Sequence, residues 1–229
     1  MFDAPDKVWD VLVVGGGATG LGVAVQAALE GRQVALVEAR DFASGTSSRS
    51  TKLLHGGVRY LAQGRLRLVR EALRERAIVM KLAPHLAQPL SFVLTAPGWL
   101  SWLWMGLGLK AYQFLSGRLG LGTTVALSHA ALARCLPGIP GAVAGLRYWD
   151  GQFEDARLAL ALAKTARASG ASVHNHMKVT AVRRAAQLWQ LELEDARTGR
   201  SLRVQTRCLV NATGVWVDGL RRMALSPRG

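Results

Sequence analysis

Val11-Leu12-Val13-Val14 is a short apolar run after Asp10 that stops at three glycines, the pattern of a strand buried on both faces of a parallel sheet. Ala18 to Glu30 has helical composition and ends at Gly31, which suits the left-handed position after a helix. Gln33 to Val37 is a second buried strand, ending at Glu38. Together these pieces predict a βαβ unit within residues 8–63, with a Gly/Ser/Thr-rich loop from Ser44 to Lys52.

Between Gly64 and Ala83 the period changes. Leu66, Val69, Leu73, Ala77 and Met80 recur at helical spacing, basic residues mostly fill the gaps, and Pro84 marks the stop. Leu90 to Leu109 carries no charge over 20 residues, long enough to raise a membrane span, and Trp99, Trp102 and Trp104 would suit an interface. Pro97-Gly98 argues for a strand near Leu90–Thr95, a break, and a helix from Trp99 to about Ser116. Interfacial contact and ordinary core both remain open for this stretch. Residues 64–150 thus read as a largely helical insertion. Asp155 can cap a helix over Ala156–Ser169, which Gly170 ends. Ser172–Val182, Leu188–Leu193 and Leu202–Thr206 then predict a small β-meander hanging from the sheet. Cys208-Leu209-Val210 predicts another strand, running into Asn211-Ala212-Thr213-Gly214, so residues 151–220 return to the first sheet.

At 229 residues and half apolar, the chain is neither disordered nor collagen-like. Its net charge of +14 is uneven: residues 1–50 carry −2 and residues 51–229 carry +16. Host codon bias toward Arg, Ala, Leu and Gly accounts for such a surplus, and so does an anionic membrane surface. No nucleic-acid partner is expected, since no helix-turn-helix, zinc finger or aromatic-interleaved RNA motif occurs. Cys135 and Cys208 lie far apart, without C-x-x-C or clustered histidines. They read as two buried free thiols in a reducing compartment, with no metal site. Met1 to Asp10 has three Asp and no apolar core, so no secretory signal is expected.

Gly15-Gly16-Gly17-Ala18-Thr19-Gly20 has G-x-G-x-x-G spacing between a predicted strand and a predicted helix. Gly15 permits the tight turn, Gly17 lets a pyrophosphate approach the backbone, and Gly20 lets the helix pack close to the strand. The helix N-terminus, at Thr19, offers N–H groups and partial positive charge to phosphates. Glu38 lies 18 residues beyond Gly20, at the end of the second strand, where a carboxylate can accept hydrogen bonds from ribose hydroxyls. This predicts a dinucleotide site without choosing between FAD and NAD.

The run Thr46-Ser47-Ser48, then Ser50-Thr51-Lys52-Leu53-Leu54-His55-Gly56-Gly57-Val58-Arg59-Tyr60-Leu61, resembles the FAD-dependent glycerol-3-phosphate dehydrogenase family. Members carry a TSS…SSKL-HGG-RYL stretch at this place. The likeness extends to the triple glycine, Arg70-Glu71-Ala72-Leu73, Ala83-Pro84-His85-Leu86, Asp155-Ala156-Arg157-Leu158 and Leu209-Val210-Asn211-Ala212-Thr213-Gly214. It implies an α/β Rossmann-like FAD-binding domain with a β-meander and an incomplete substrate domain that begins within residues 64–150. The implied reaction is hydride transfer from C2 of sn-glycerol 3-phosphate to flavin N5, giving dihydroxyacetone phosphate, with electrons passed to a quinone. The implied location is cytoplasmic, peripheral on the inner face of the membrane. A homodimer is left open.

By the same resemblance Thr46, Ser47, Ser48, Thr51, Lys52 and Leu53 would line the FAD phosphates, ribityl chain and flavin edge. His55-Gly56-Gly57 would pass close to the isoalloxazine, and Ala212, Thr213 and Gly214 would approach the pyrophosphate or adenosine. Val179 would offer its backbone to the adenine. Arg59 and Tyr60 would reach the substrate, a guanidinium suiting a phosphate or developing alkoxide and a phenol suiting a hydroxyl. His55 would be either a general base or structural. Members of the family continue well beyond residue 229, and Arg221 to Gly229 departs from their pattern, as expected of a truncated chain. Two other readings share many of these features: a different flavin oxidoreductase of the amino-acid-oxidase type, and a non-catalytic flavin-binding fragment.

Overall fold

A computed structural model of the chain describes residues 7–138 and 144–225. The expectations for Met1–Asp10 and Arg221–Gly229 turn in part on residues 1–6 and 226–229, which lie outside the described residues. The elements in chain order are β1 (Val8–Val14), α1 (Ala18–Leu29), β2 (Val34–Val37), β3 (Leu53–Leu54), α2 (Val58–Ala62), α3 (Leu66–Leu82), β4 (Ala87–Ala96) and α4 (Trp99–Ser116). There follow β5 (Val125–Leu127), α5 (His129–Cys135), β6 (Ala144–Phe153), α6 (Asp155–Ala168), β7 (Ser172–His174), β8 (Met177–Ala185), β9 (Leu188–Asp195), β10 (Ser201–Asn211) and α7 (Val217–Leu225). They form two compact units, one drawn from both ends of the chain, up to Ser50 and from Asp155, the other continuous from Thr51 to Glu154.

The first unit is built on a sheet of order β7-β2-β1-β10-β9-β8. β1 runs parallel to both β2 and β10, β2 runs parallel to β7, and β8, β9 and β10 are antiparallel. This is the Rossmann-like α/β fold with a meander. Two of the expected strands are a single one. Leu202–Thr206 and Cys208–Val210 are the two ends of β10, whose Gln205 and Thr206 pair with Val8 and Trp9 on one side and with Gln190 and Trp189 on the other. The meander is therefore continuous with the sheet instead of hanging from it. Arg207, the charged residue between the two expected strands, is exposed and pairs with Asp10 at 2.7 Å, while Thr206 beside it is fully buried and shares its hydroxyl proton between the carbonyls of Trp9 and Cys208. The expected strand Ser172–Val182 divides instead, because the chain leaves β7 at Asn175 and His176 to start β8 in the meander.

Both faces of this sheet are covered, which is why β2 is apolar throughout. On one face Val13, Val34 and Leu36 meet Ala24 and Ala28 of α1 and Ala159, Ala163 and Ala166 of α6. On the other, Leu12, Val14 and Val37 pack with Leu191, Leu193 and Val204 of the meander and Leu220 of α7.

In the second unit β6 is the central strand, antiparallel to β4 from Ala87↔Phe153 to Ala96↔Ala144, with β3 and β5 along its other edge. The helical insertion expected at 64–150 is thus built around a sheet. β6 escapes sequence reading because its alternation is broken by charged residues: Asp150 is buried, and Arg147 lies between Leu146 and Tyr148. α3 also differs in phase, burying Val69, Leu73 and Arg76 while Leu66 is exposed.

α4 follows the expected break and buries Leu109, Tyr112 and Ser116. Its Trp99 and Trp104 are exposed, whereas the indole N–H of Trp102 donates to the Gly145 carbonyl at 3.4 Å. No helix among the described residues is long and apolar enough to cross a membrane. The two cysteines, expected to be buried, are both exposed. Cys135 ends a helix whose buried residue is Leu132, and Cys208 lies just past Thr206, the last fully buried residue of β10.

Candidate functional site

The turn after β1 is fixed by close backbone approaches. Gly15 has φ +117°, its N–H donates to the Val37 carbonyl at 2.9 Å, and a Cβ there would strike the Ala212 carbonyl. Ala212 in turn donates its N–H to the Val14 carbonyl at 2.9 Å. A Cβ on Gly20 would strike the Gly15 carbonyl, so α1 lies directly against the turn. Gly16 donates its N–H to Glu38 Oε2 at 2.7 Å, and Glu38 Oε1 accepts from the Arg40 N–H at 2.8 Å. The carboxylate at the end of β2 therefore ties two backbone segments together. At the start of α1 the Ser47 hydroxyl accepts from the Ala18 N–H at 3.0 Å, and a Cβ on Gly17 would sit 2.9 Å from that same Oγ.

Beside this turn opens a cavity of about 680 Å³. Gly15, Gly17, Thr19, Glu38, Thr46, Ser47, Val179, Ala212, Thr213 and Gly214 all line it. Gly16 and Gly20 form the packing behind the turn, and Ser48 completes the 3₁₀ turn that begins at Thr46. Sequence reading missed Arg40, Met177 and Trp216, which line the same cavity. The Arg40 guanidinium lies 5.4 Å from the Trp216 ring, and Gly45 lies against that ring. A tryptophan two residues after the Ala212-Thr213-Gly214 segment that follows β10 is the one signal that could have flagged this pair.

The residues present fit FAD. A βαβ turn kept free of side chains, a helix N-terminus and a carboxylate at the next strand end surround a cavity large enough for the adenosine and pyrophosphate of a dinucleotide. The four acceptor positions of the Glu38 carboxylate are only half used by its two backbone bonds.

The remaining predicted residues belong to the second unit, on one strand, turn and helix. Thr51 is exposed, Lys52 takes φ +56°, and its carbonyl accepts from the Phe153 N–H at 2.9 Å. Leu53 pairs with Gln152 on β6. His55 is exposed, Gly56 and Gly57 are buried, and Gly57 has φ +80° at the start of α2. That left-handed residue turns the chain so that Arg59 and Tyr60 stand exposed on the first turn of the helix.

Behind the turn, Asp150 receives the Gly56 N–H at 3.0 and 3.1 Å and pairs with Arg76 at 2.8 Å. Burial and, after it, the Asp150 charge push the Tyr112 phenol well above its ordinary range. Tyr148 is raised by burial and Asp150, against which Arg59 pulls it down.

A family model described as FAD dependent oxidoreductase matches residues 10–228. The chain is 39% identical to the mitochondrial glycerol-3-phosphate dehydrogenase of Rattus norvegicus, over 94% of this chain and 32% of the relative. It is 40% identical to the glycerol-3-phosphate dehydrogenase of Mycobacterium leprae, over 94% of this chain and 38% of the relative. Among solved structures, the glycerol-3-phosphate dehydrogenase from Bacillus halodurans complexed with FAD superposes with a TM-score of 0.74 at 33% identity, covering 98% of this chain and 38% of that one. The chain spans about a third of the length of the curated relatives it matches.

Proposed function

Because the chain belongs to the FAD-dependent oxidoreductase family, we propose that it carries the cofactor-binding part, and one side of the substrate site, of a glycerol-3-phosphate dehydrogenase. The reaction is oxidation of sn-glycerol 3-phosphate to dihydroxyacetone phosphate, with a quinone as final acceptor. The observation that carries this reading is the identity with curated enzymes of that name across nearly the whole chain.

Bound FAD supplies the two-electron acceptor that amino-acid side chains lack. Gly15 and Gly17 leave the backbone open to the pyrophosphate, and the N-terminal turn of α1 at Thr19 gives it N–H donors and positive potential. Glu38 accepts the ribose hydroxyls on its two unused positions, and the Val179 backbone meets the adenine. Ala212, Thr213 and Gly214 line the same cavity beside Gly15. Thr46, Ser47 and Ser48 continue the contact along the cofactor; in the second unit Thr51, Lys52 and Leu53 are the further cofactor residues, and His55-Gly56-Gly57 the segment nearest the flavin, that the likeness to the family implies. Arg59 holds negative charge on the substrate, Tyr60 hydrogen-bonds a substrate hydroxyl, and His55 accepts the proton of the C2 hydroxyl. The surplus of positive charge from residue 51 onward and the exposed Trp99 and Trp104 support a peripheral site on an anionic membrane face.

Purified chain loaded with FAD tests the reading. Bleaching of the flavin absorbance by glycerol 3-phosphate without oxygen is the expected result. Bleaching by amino acids instead would favour the amino-acid-oxidase alternative, and bound flavin that no substrate bleaches would favour a non-catalytic fragment.

A further inference from the structure

We propose that Asp150 is a positioning residue of this site: through the Gly56 amide it sets the turn from which Arg59 and Tyr60 face the substrate. The proposal rests on the substrate role given above to that pair.

Asp150 lies on the central strand of the second unit and is 2% exposed. A carboxylate so buried is costly unless its oxygens are occupied. Here they are: Oδ1 accepts from Arg76 Nη1 at 2.8 Å and from the Gly151 N–H at 3.0 Å, and the Tyr112 hydroxyl lies 3.4 Å from Oδ2. Both oxygens also receive the N–H of Gly56, 94 residues away in sequence. Arg76 is fixed in turn, its Nη2 donating to the Leu119 carbonyl at 2.7 Å.

Stability alone does not explain the arrangement, because well-packed apolar residues commonly replace a buried ion pair at no loss. What apolar residues cannot do is accept the Gly56 N–H. At this point the chain has no side chain to anchor it, since a Cβ on Gly56 would strike the Tyr112 hydroxyl and Leu73. The only anchors available are therefore backbone ones. The next residue, Gly57, takes a positive φ, and its carbonyl receives the Tyr60 N–H at 2.8 Å. A shift at Gly56 thus passes directly into the helical turn that carries Arg59 and Tyr60. Displacements of about 1 Å at a reacting centre cost roughly 10²-fold in rate.

Two double variants separate positioning from stability: Arg76→Met with Asp150→Leu, and Arg76→Met with Asp150→Asn. Both remove the buried charges, but only the asparagine keeps an acceptor for Gly56. In FAD-loaded chain, the leucine-bearing double should exchange the Gly56 amide about 10- to 100-fold faster than the asparagine-bearing one, the size of one hydrogen bond. Its kcat/KM for glycerol 3-phosphate, measured in a chain extended to the length of its relatives, should be lower by about 10-fold or more, with flavin content alike in the two and both assayed well below their unfolding midpoints. Should the leucine-bearing chain not fold, Asp150→Ala in the Arg76→Met background provides the same comparison. Equal Gly56 exchange in the two doubles, or equal kcat/KM despite unequal exchange, overturns the proposal. If the extended parent fails to oxidise glycerol 3-phosphate, the substrate reading falls, and the exchange comparison alone decides whether Asp150 sets the turn.

Discussion

A side chain at position 17 would begin with a Cβ 2.9 Å from the Ser47 hydroxyl that caps the Ala18 amide. Gly17→Val should therefore dislodge Ser47 as well as fill the space for the pyrophosphate, and flavin absorbance should be absent from the purified variant. Glu38→Ala has a double effect, because the carboxylate binds two backbone amides besides any ribose. The cofactor-free variant should itself lose roughly 1.5–3 kcal/mol, the scale of hydrogen bonds to a charged group, in a urea titration, and it should also retain less FAD. A variant that loses only FAD would show that the bonds to Gly16 and Arg40 add nothing to the fold. Arg59 stands exposed, away from the packing behind its turn, so Arg59→Ala should keep FAD. In a chain extended to the length of its relatives, it should lose about 10²–10³ in kcat/KM, as when one charge-stabilising donor is removed. Tyr60→Phe should cost less, and Arg59→Lys should not be silent, because lysine lacks the planar fork.

Single elements were legible in the sequence where one chemical rule governs them. β1, α1 and β2 follow from apolar runs and glycines, and α4 from the Pro97-Gly98 break. β6 and the buried face of α3 were hidden for a common reason: Asp150 and Arg76 satisfy each other across 74 residues, so each looks like a surface residue until the other is in place. The same network sets an alkaline limit on stability. Tyr112 holds its proton more tightly in the fold than in the unfolded chain, so its contribution is complete below about pH 10 and is lost as the pH rises above it. Unfolding midpoints between pH 9 and 11 should fall more steeply for the parent than for Tyr112→Phe. α4 carries the prediction about membranes. With Trp99 and Trp104 exposed, replacing both by Gln should reduce co-sedimentation with anionic vesicles, and salt or carbonate should release the parent protein. Release by detergent alone would count against peripheral binding.

At the scale of the whole molecule, the cofactor cavity was readable because its glycines, Glu38 and the strand-end segment Ala212-Thr213-Gly214 carry fixed spacings or characteristic chemistry. Arg40 and Trp216 were not, since their placement depends on how separate loops meet. The strand order adds a consequence for synthesis. β1 ends at Val14, yet its parallel neighbour β10 begins only at Ser201. At ribosomal rates of roughly 5–20 residues per second, the edge of β1 that β10 will cover waits about 10–40 s for its partner. The intervening unit, by contrast, has all its strands once Phe153 is made. An apolar edge left open that long is a template for wrong pairing. The interval between β1 and its last neighbour is thus when the nascent chain most needs a chaperone, and the earliest-made strand of this sheet is the last to be secured.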